Sequence, residues 1–301
     1  MAGSSKKVIY AALVGNAIIA VAKFVMSAIT GSSAMFSEGI HSVVDTGNQI
    51  LLLYGLKQAK KPADEKHPYG HGKEVYFWSF VVALLIFAVG SGLSIFKGLE
   101  HISHPVEITN PVWNYLVLGF AMIIEGYVFF IAIKEFNKMR GDRGYLEAIQ
   151  TGKDPGLFVV LLEDAAAMTG LMVAMLGIAL SQITGNYVFD GIASVVIGLI
   201  LATVAVLLAV ETKGLLIGER ANKHVVDGIR DVLNQTRGVH KVNEVLTMHM
   251  GPDYILVNLN VEFSDHMRTG KLEQLVSQID REIKTKYKNV KRVFIEAESA
   301  L

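Results

Sequence analysis

The chain has 301 residues, of which 51% are hydrophobic, and its formal net charge at pH 7 is zero. This charge balance gives no reason to expect nucleic acid binding. The chain contains no cysteine, so disulfides and thiolate metal sites are both excluded. Because the apolar residues are concentrated before residue 217, we expect a membrane part followed by a soluble part.

Six apolar segments are each long enough to cross a bilayer, which takes about 20 residues. The basic segment before the first of them, Met1–Lys7, precedes an apolar run that is too long for a signal peptide and lacks a cleavage site. The sequence therefore predicts a six-helix transmembrane bundle over residues 1–217, with an uncleaved first span. The spans run approximately over Val8–Ile29, Ala34–Leu56, Val75–Leu99, Val112–Ile133, Leu157–Ile183 and Val188–Leu215.

The charges of the connecting loops predict the orientation of the spans. The loops Thr30–Ser33, Glu100–Pro111 and Ser181–Tyr187 contain no Lys or Arg, whereas the loops after the second and fourth spans are basic. By the positive-inside rule, the basic loops and both ends of the chain lie in the cytoplasm. The basic residues are Lys57, Lys60, Lys61, Lys66 and Lys73 in one loop, and Lys134, Lys138, Arg140, Arg143 and Lys153 in the other.

Residues 218–301 have the pattern of a small soluble domain. The order α-β-β-α-β over about 80 residues predicts a ferredoxin-like α+β fold in the cytoplasm. Since three short strands make a small core, we expect dimerisation. The predicted elements are a helix over Ala221–Thr236, strands over Val245–Met250 and Tyr254–Phe263, a helix over Leu272–Ile283 and a strand over Val290–Glu296.

The second span carries Glu38, His41 and Asp45 at a spacing that places them on one face of a helix. Ionisable groups at membrane depth usually face a bundle interior or an aqueous path. An imidazole and a carboxylate one turn apart are also two good ligands for a divalent metal.

The fifth span contains two adjacent carboxylates, Glu163 and Asp164. They point about 100° apart, so at most one of them aims at a shared centre. Asp164 can converge with His41 and Asp45 if spans two and five pack together, and the small residues Ala165–Ala167 and Gly170 permit that approach.

Four other polar residues within the spans are interpreted first as structural, in interhelical contacts or near the interface. Glu125 could instead relay protons, and Asp190 is expected near the solvated outer end of its span. The four residues are Asn16, Lys23, Glu125 and Asp190.

The loop after the second span contains Asp64, His67 and His71, spaced three and four residues apart as metal ligands on a turn can be. The alternative is an ordinary solvated loop.

Together, the six spans, the motif His41-x-x-x-Asp45, the loop His67-Pro68-Tyr69-Gly70-His71-Gly72 and the soluble domain resemble the cation diffusion facilitator family. Members of this family are dimeric transporters that exchange a divalent metal, commonly zinc, for protons. Residues Ser37–Ser42 and Leu161–Asp164 resemble the divergent subgroup that contains the ninth mammalian zinc transporter.

The resemblance implies two metal sites. His41, Asp45 and Asp164 match ligands of the transported metal, and the other site is the loop set Asp64, His67 and His71. The fourth transport ligand of the family falls on Val160 here, which is a departure from the pattern. The remaining candidates for that fourth ligand are water, Glu163, Glu38 and Asn48.

In the soluble domain, positions that bind zinc in some family members fall on Asn243 and Asn260, and Glu296 and Glu298 stand where a His and an Asp occur. A cytoplasmic binuclear zinc site is therefore not expected. The remaining histidines are interpreted as surface residues, on a strand for His249 and on loops for His240 and His266.

The resemblance predicts a proton-coupled divalent-cation exporter that works as a homodimer by alternating access and has no enzymatic activity. Zinc is the expected metal, with manganese, iron and cobalt as alternatives and protons as the counter-ion. We expect a lipid environment in a bacterial cell membrane or an organelle membrane. A non-transporting metal sensor or scaffold is a second hypothesis, while the absence of an H-E-x-x-H helix argues against an intramembrane metallohydrolase.

Overall fold

The computed structural model describes residues 2–141, 144–150, 152 and 155–298. The contacts within the chain divide it into two units. The first comprises Met1–Leu56 and Phe77–Thr212, and the second comprises Lys57–Tyr76 and Lys213–Leu301. The basic residues Arg143 and Lys153 of the fourth-span loop lie outside the described residues.

The first unit is helical throughout its described secondary structure. A π-helical turn, Ile86–Ser91, interrupts the helical segment Glu74–Ser103. The helices are α1 (Ala2–Thr30), α2 (Ser33–Ala59), α3 (Glu74–Leu85), α4 (Gly92–Ser103), α5 (Val112–Arg140), α6 (Tyr145–Gln150), α7 (Pro155–Thr184) and α8 (Val188–Ile217).

Four helical segments in the described part of the chain are long and apolar enough to cross a membrane: Glu74–Ser103, Val112–Lys138, Phe158–Thr184 and Val188–Ile217. They confirm a helical membrane domain. In α1, the stretch Asn16–Thr30 forms a shorter apolar helix. The charged residues of α2 lower its mean hydropathy, so membrane crossing by α1 and α2 stays a prediction.

The outward face of α5 shows how these helices meet lipid. Its large apolar side chains recur every three or four residues and are more than half exposed, at Leu116, Phe120, Ile123, Tyr127 and Phe130. An exposed apolar stripe of this kind is the face that a membrane helix presents to hydrocarbon.

Small residues allow close helix packing inside the first unit. A Cβ added at Gly98 of α4 would lie 2.7 Å from the carbonyl oxygen of Gly191 and 2.8 Å from the backbone nitrogen of Val195, both in α8. Two backbones approach this closely only where a side chain is missing. In addition, α5 packs against both α7 and α1.

The second unit contains a three-stranded sheet and two helices. Its elements are α9 (Lys223–Gln235), β1 (Val239–Gly251), β2 (Tyr254–Phe263), α10 (Thr269–Lys286) and β3 (Val290–Ala297). The strand order is β1-β2-β3, with β1 antiparallel and β3 parallel to β2. The predicted α-β-β-α-β order is therefore confirmed as a small α/β domain.

The sheet buries one face of β2 against the two helices. Apolar residues alternate along β2, as a strand with one buried face requires, and Ile255, Val257, Leu259 and Val261 are at most 4% exposed. They share a core with Val225, Ile229, Val232 and Leu233 of α9 and Ile279 and Ile283 of α10.

The predicted start of β1 at Val245 was wrong, because the strand begins at Val239. The polar residues of this first part conceal the strand pattern. Bulges between Val239 and Lys241 and between Val242 and Glu244 shift the side-chain alternation while pairing with β2 continues.

Residues 57–76 pack against the end of β1 in this unit. A Cβ added at Gly72 would collide with the carbonyl oxygen of Met250 and lie 3.2 Å from the Cα of Gly251. Lys73 Nζ donates a hydrogen bond to the carbonyl oxygen of Leu216 at 3.3 Å.

Candidate functional site

The predicted pair on α2 is formed. His41 Nε2 lies 3.4 Å from Asp45 Oδ2, one helical turn along the same face. The side chains of His41 and Asp45 are 3% and 18% exposed. An imidazole and a carboxylate are therefore held side by side, largely away from solvent.

Asp45 opens into a cavity between helices that also collects carboxylates from α5 and α7. We call this the carboxylate cavity and define it by Asp45, Glu125, Glu163 and Asp164. Asn16 and Val160 also line it. The structure thus brings Asp45 and Asp164 together as predicted, while His41 contacts Asp45 and is not itself one of the cavity's lining residues.

A hydrogen bond joins the two helices that were predicted to pack together. Asn48 Nδ2 of α2 donates to Glu163 Oε1 of α7 at 2.8 Å, and both residues are buried. These two candidates for the fourth ligand therefore bind each other. A ligand role for Glu163 stays a prediction.

Lys23 occupies the centre of a buried polar network. Its Nζ donates to Glu38 Oε2 at 3.0 Å, to Glu125 Oε1 at 3.1 Å and to Ser42 Oγ at 2.8 Å. Lys23 and Glu38 are both fully buried. The structural interpretation of Lys23 thus agrees with the structure, because the cation packs between carboxylates rather than reaching the membrane surface.

Two carboxylates at this level of the chain differ in their surroundings, and a ligand role for either one stays a prediction. Glu38 was a candidate for the fourth ligand, but it is not one of the residues that line the carboxylate cavity, and it pairs with Lys23. Its other oxygen lies against Gly170 of α7, where a Cβ would collide with it. Glu125, by contrast, does line the cavity, and its position depends on how α5 packs, which spacing along the chain does not encode.

Asp190 was expected near the solvated outer end of its span. It does lie in the first turn of α8, but the expected solvation was wrong. The residue is fully buried. It accepts hydrogen bonds from Ser32 Oγ at 2.6 Å and Ser33 Oγ at 2.9 Å, and also from the backbone N–H groups of Ser33 and Ala34. A carboxylate of α8 therefore caps the first turn of α2, whose free N–H groups favour negative charge.

The loop residues Asp64, His67 and His71 meet as predicted, and we call them the loop cluster. Asp64 Oδ1 lies 3.1 Å from His67 Nδ1, and Asp64 Oδ2 lies 3.1 Å from His71 Nε2. Their candidate ligand atoms all lie within 4.8 Å of one another. Among the described residues, no other three His, Asp or Glu side chains meet that distance.

Local backbone geometry builds the loop cluster. Gly70 has a φ of +82°, a left-handed conformation that glycine adopts without strain, and it lies directly before His71. The backbone N–H of His67 and the side chain of His71 both donate to Asp64, which lowers the pKa of Asp64 to about 2. The carboxylate is therefore charged at physiological pH and available to a cation.

The polar residues of the soluble domain that fall on zinc-binding positions of the family also lie near one another, and hydrogen bonds from asparagine side-chain amides join them. Asn243 Nδ2 donates to Asn260 Oδ1 at 3.0 Å, and Asn260 Nδ2 donates to Glu298 Oε2 at 2.8 Å. Glu296 pairs in register with Asn260 on the neighbouring strand. The absence of a zinc site here remains a prediction.

The interpretation of the remaining histidines was partly wrong. His249 is 3% exposed rather than on the surface, because the end of β1 is covered. His240 lies within β1 rather than in a loop, although its side chain is exposed. His266 is an exposed turn residue, as expected.

Comparison with known proteins places both units in one family. Residues 9–217 match the model of the cation efflux transmembrane domain, and residues 221–300 match that of the cation efflux protein cytoplasmic domain. The proton-coupled zinc antiporter SLC30A9 of Xenopus laevis, described as mitochondrial, is 32% identical over 265 residues, which cover 87% of this chain and 47% of that protein.

Two further relatives have other names. Metal tolerance protein C4 of Arabidopsis thaliana is 30% identical over 278 residues, covering 89% of this chain and 61% of that protein. The manganese efflux system protein MneP of Bacillus subtilis is 23% identical over 298 residues, covering 97% of this chain and 95% of that protein.

The chain spans about half the length of SLC30A9. The similarity to SLC30A9 agrees with the predicted subgroup, and the family and these relatives are named as transporters rather than enzymes. Since the transmembrane model alone covers well over half of the residues, the chain belongs to the cation efflux family, also called the cation diffusion facilitators.

Proposed function

We propose that this chain exports a divalent metal cation, with zinc as the first candidate, in exchange for protons. The observation that carries this proposal is the carboxylate cavity, where Asp45 of α2 meets Asp164 of α7 and His41 lies 3.4 Å from Asp45. Ionisable groups gathered between membrane helices usually mark an ion path. The name of the SLC30A9 relative, a proton-coupled zinc antiporter, points the same way.

The coupling follows from the ligand chemistry. A metal requires a neutral imidazole at His41 and ionised carboxylates at Asp45 and Asp164. The same nitrogen and oxygen atoms can hold protons, so metal and protons compete for one site. If that site opens to each side of the membrane in turn, metal moves one way and protons the other.

The proposed architecture has six spans in two domains, residues 1–217 and 218–301. Helices α1 and α2 contain 29 and 27 residues, and at about 1.5 Å per residue each exceeds the bilayer core of about 30 Å. With the basic loops inside, both ends of the chain are cytoplasmic. The match to the family's cytoplasmic domain supports a homodimer that works by alternating access.

The loop cluster is proposed as a second, cytoplasmic metal site. Its three candidate ligand atoms already lie within 4.8 Å of one another, and Asp64 carries its negative charge at physiological pH. Two imidazoles and one carboxylate suit Zn²⁺. The host membrane is proposed to be a bacterial cell membrane or an organelle membrane.

A manganese, iron or cobalt exporter is the second candidate function, because the cavity is rich in oxygen. Carboxylates at Asp45, Glu125, Glu163 and Asp164 line it, and the neighbouring His41 adds one imidazole. Oxygen ligands suit harder cations such as Mn²⁺, whereas zinc favours more nitrogen. The relative MneP is named as a manganese efflux protein.

Metal uptake into proteoliposomes under an imposed pH gradient tests the proposal. Wild-type protein is expected to move one or more of Zn²⁺, Mn²⁺, Fe²⁺ and Co²⁺, and His41→Ala and Asp164→Ala to move none. Undiminished metal flux in both variants would exclude His41 and Asp164 from the transport site. Saturable metal binding without flux in the wild type would instead establish the non-transporting sensor or scaffold.

A further inference from the structure

Three buried oxygen atoms around the carboxylate cavity have no hydrogen-bond donor from the described part of the protein. They are Asp45 Oδ1, Glu125 Oε2 and Asp164 Oδ2. Each belongs to a different helix, α2, α5 and α7. Buried acceptors without donors are costly, and charged ones more so. A divalent cation that drew these side chains together would give each of the three oxygens a partner.

Of these three residues, Glu125 is the one that the family pattern does not assign as a metal ligand. Its side chain is 15% exposed, and its Oε1 is fixed by the 3.1 Å interaction with Lys23 Nζ. It lines the same cavity as Asp45 and Asp164. One oxygen is therefore anchored on a fixed cation, while the other remains free beside the two predicted ligands.

The imidazole of His41 gives an independent indication of a cation at this place. The side chain is 3% exposed, and Nε2 has no hydrogen-bond partner among the described residues. That nitrogen points toward Asp45 Oδ2, 3.4 Å away. A buried nitrogen without a hydrogen bond, directed at a carboxylate of the cavity, is suited to a metal ion that bridges the two.

We propose that Glu125 is a ligand of the transported divalent cation and replaces the family ligand that is missing at Val160. Lys23 is the positioning residue that orients it. The inference rests on the proposed function, since the cation in question is the exported one. The resulting set has one imidazole and three carboxylates, which come from three helices.

The test compares two glutamates that share Lys23. Glu125→Gln keeps the size of the side chain and an oxygen for Lys23 but removes the charge from the cavity. Glu38→Gln makes the same change at the other partner of Lys23, which does not line the cavity. Both are made with His67→Ala and His71→Ala, so that the loop cluster does not contribute to binding.

The Kd for Zn²⁺ or Mn²⁺, measured by calorimetry on the full chain, and the KM for flux are the readouts. We expect Glu125→Gln to raise both at least about tenfold and Glu38→Gln to change them less than about threefold. Equal effects of the two variants would show a shared structural role and overturn the inference. Wild-type protein that binds metal without flux would contradict the proposed function, while the Kd comparison would still test Glu125.

Bound Co²⁺ gives a readout that does not depend on flux. Its visible absorption reports the ligand field, so Glu125→Asp, which keeps the charge but moves the carboxylate, is expected to shift the spectrum. A Co²⁺ spectrum identical to that of the wild type in Glu125→Asp would exclude Glu125 as a ligand. Should Glu125→Gln fail to elute as a single species from size exclusion, Glu125→Asp carries the test.

Discussion

The loop cluster and the carboxylate cavity use similar side chains, but they differ in how close their candidate ligand atoms lie to one another. In the loop cluster, all three candidate ligand atoms lie within 4.8 Å of one another, and Asp64 and His67 are about half exposed. In the cavity, three carboxylate oxygens lack a donor from the described residues, and His41, Asp45 and Asp164 do not meet the same distance.

The difference reflects how each site is assembled. The loop ligands span eight residues, so one turn around Gly70 gathers them, and water can satisfy them when no metal is bound. The carboxylates of the cavity come from three helices, so only packing brings them close, and their burial makes an uncompensated charge costly. A site that exchanges metal for protons during transport is better assembled from separate helices, as the cavity is, than within one loop.

Matching Asp→Asn changes in the two sites give the largest expected contrast. Asp45→Asn should abolish metal-driven proton flux in proteoliposomes, because it removes a charge that the buried cation needs. Asp64→Asn should weaken metal binding to the loop yet leave flux within about tenfold of the wild type, since its carboxylate is solvated. Complete loss of flux in Asp64→Asn would place the loop cluster on the transport route.

Lys23→Met tests how much the buried ionic network around Lys23 contributes to the free energy of unfolding. Removing the cation leaves Glu38 and Glu125 without their partner, and breaking a buried ion pair in this way costs about 3–5 kcal/mol. The expected result is a lower midpoint of thermal unfolding in detergent, followed by fluorescence-detected size exclusion.

A double-variant comparison separates charge from packing in that result. If charge dominates, Lys23→Met should cost less stability when Glu38→Gln or Glu125→Gln is already present. Equal losses in all three backgrounds would mean that the lysine stem, rather than its charge, stabilises the helices.

The sequence predicted what local spacing determines. Helical periodicity located His41 beside Asp45, and the i, i+3 and i+7 spacing identified the loop cluster before any contact was known. Apolar segment length located the four helical segments that can cross a membrane, and alternation located β2. In each case the interacting residues are close along the chain or follow a single period.

Long-range packing determined what the sequence did not predict. Lys23 and Glu125 are 102 residues apart, and the residues that join Asp190 to the start of α2 are 156 to 158 apart. Both carboxylates have ordinary alternative interpretations, at an interface or in an interhelical contact. Only the packing of α5 and α8 shows that one lines the cavity and the other caps a helix.

The Asp64 carboxylate should contribute nothing to the pH dependence of Zn²⁺ binding at the loop cluster between about pH 7.5 and about pH 5.5. The His67 backbone N–H and the His71 side chain lower the pKa of Asp64 to about 2, so its charge is lost only as the pH falls through that value. Zn²⁺ affinity of the loop cluster, measured in an Asp164→Ala background, should therefore owe none of its change across this window to protonation of Asp64.

Calorimetric titration of the full chain checks this dependence, with Asp64→Asn as the control. That variant should bind more weakly at both ends of this window, because it removes a charged ligand candidate. Weaker binding at pH 7.5 together with unchanged binding at pH 5.5 would mean that the carboxylate itself takes up a proton above pH 5, in conflict with its hydrogen bonds.

Gly72→Ala gives the smallest expected effect and tests whether the second unit supports the loop cluster. The new methyl group would collide with the carbonyl oxygen of Met250, so the loop must move away from the end of β1, at a cost of about 1 kcal/mol. Hydrogen exchange should become faster in residues 57–76. Gly270→Ala, where no atom lies within 4 Å of the added Cβ, is the matched control.

The same variant decides whether that support matters for metal binding. If packing of Gly72 against β1 holds His71 in place, Gly72→Ala should weaken Zn²⁺ binding to the loop several-fold while flux through the cavity continues. Faster exchange with unchanged affinity would show that the turn Asp64–His71 assembles its ligands without help from β1. The loop cluster would then be assembled by residues 64–71 alone, whereas the carboxylate cavity needs the packing of three separate helices.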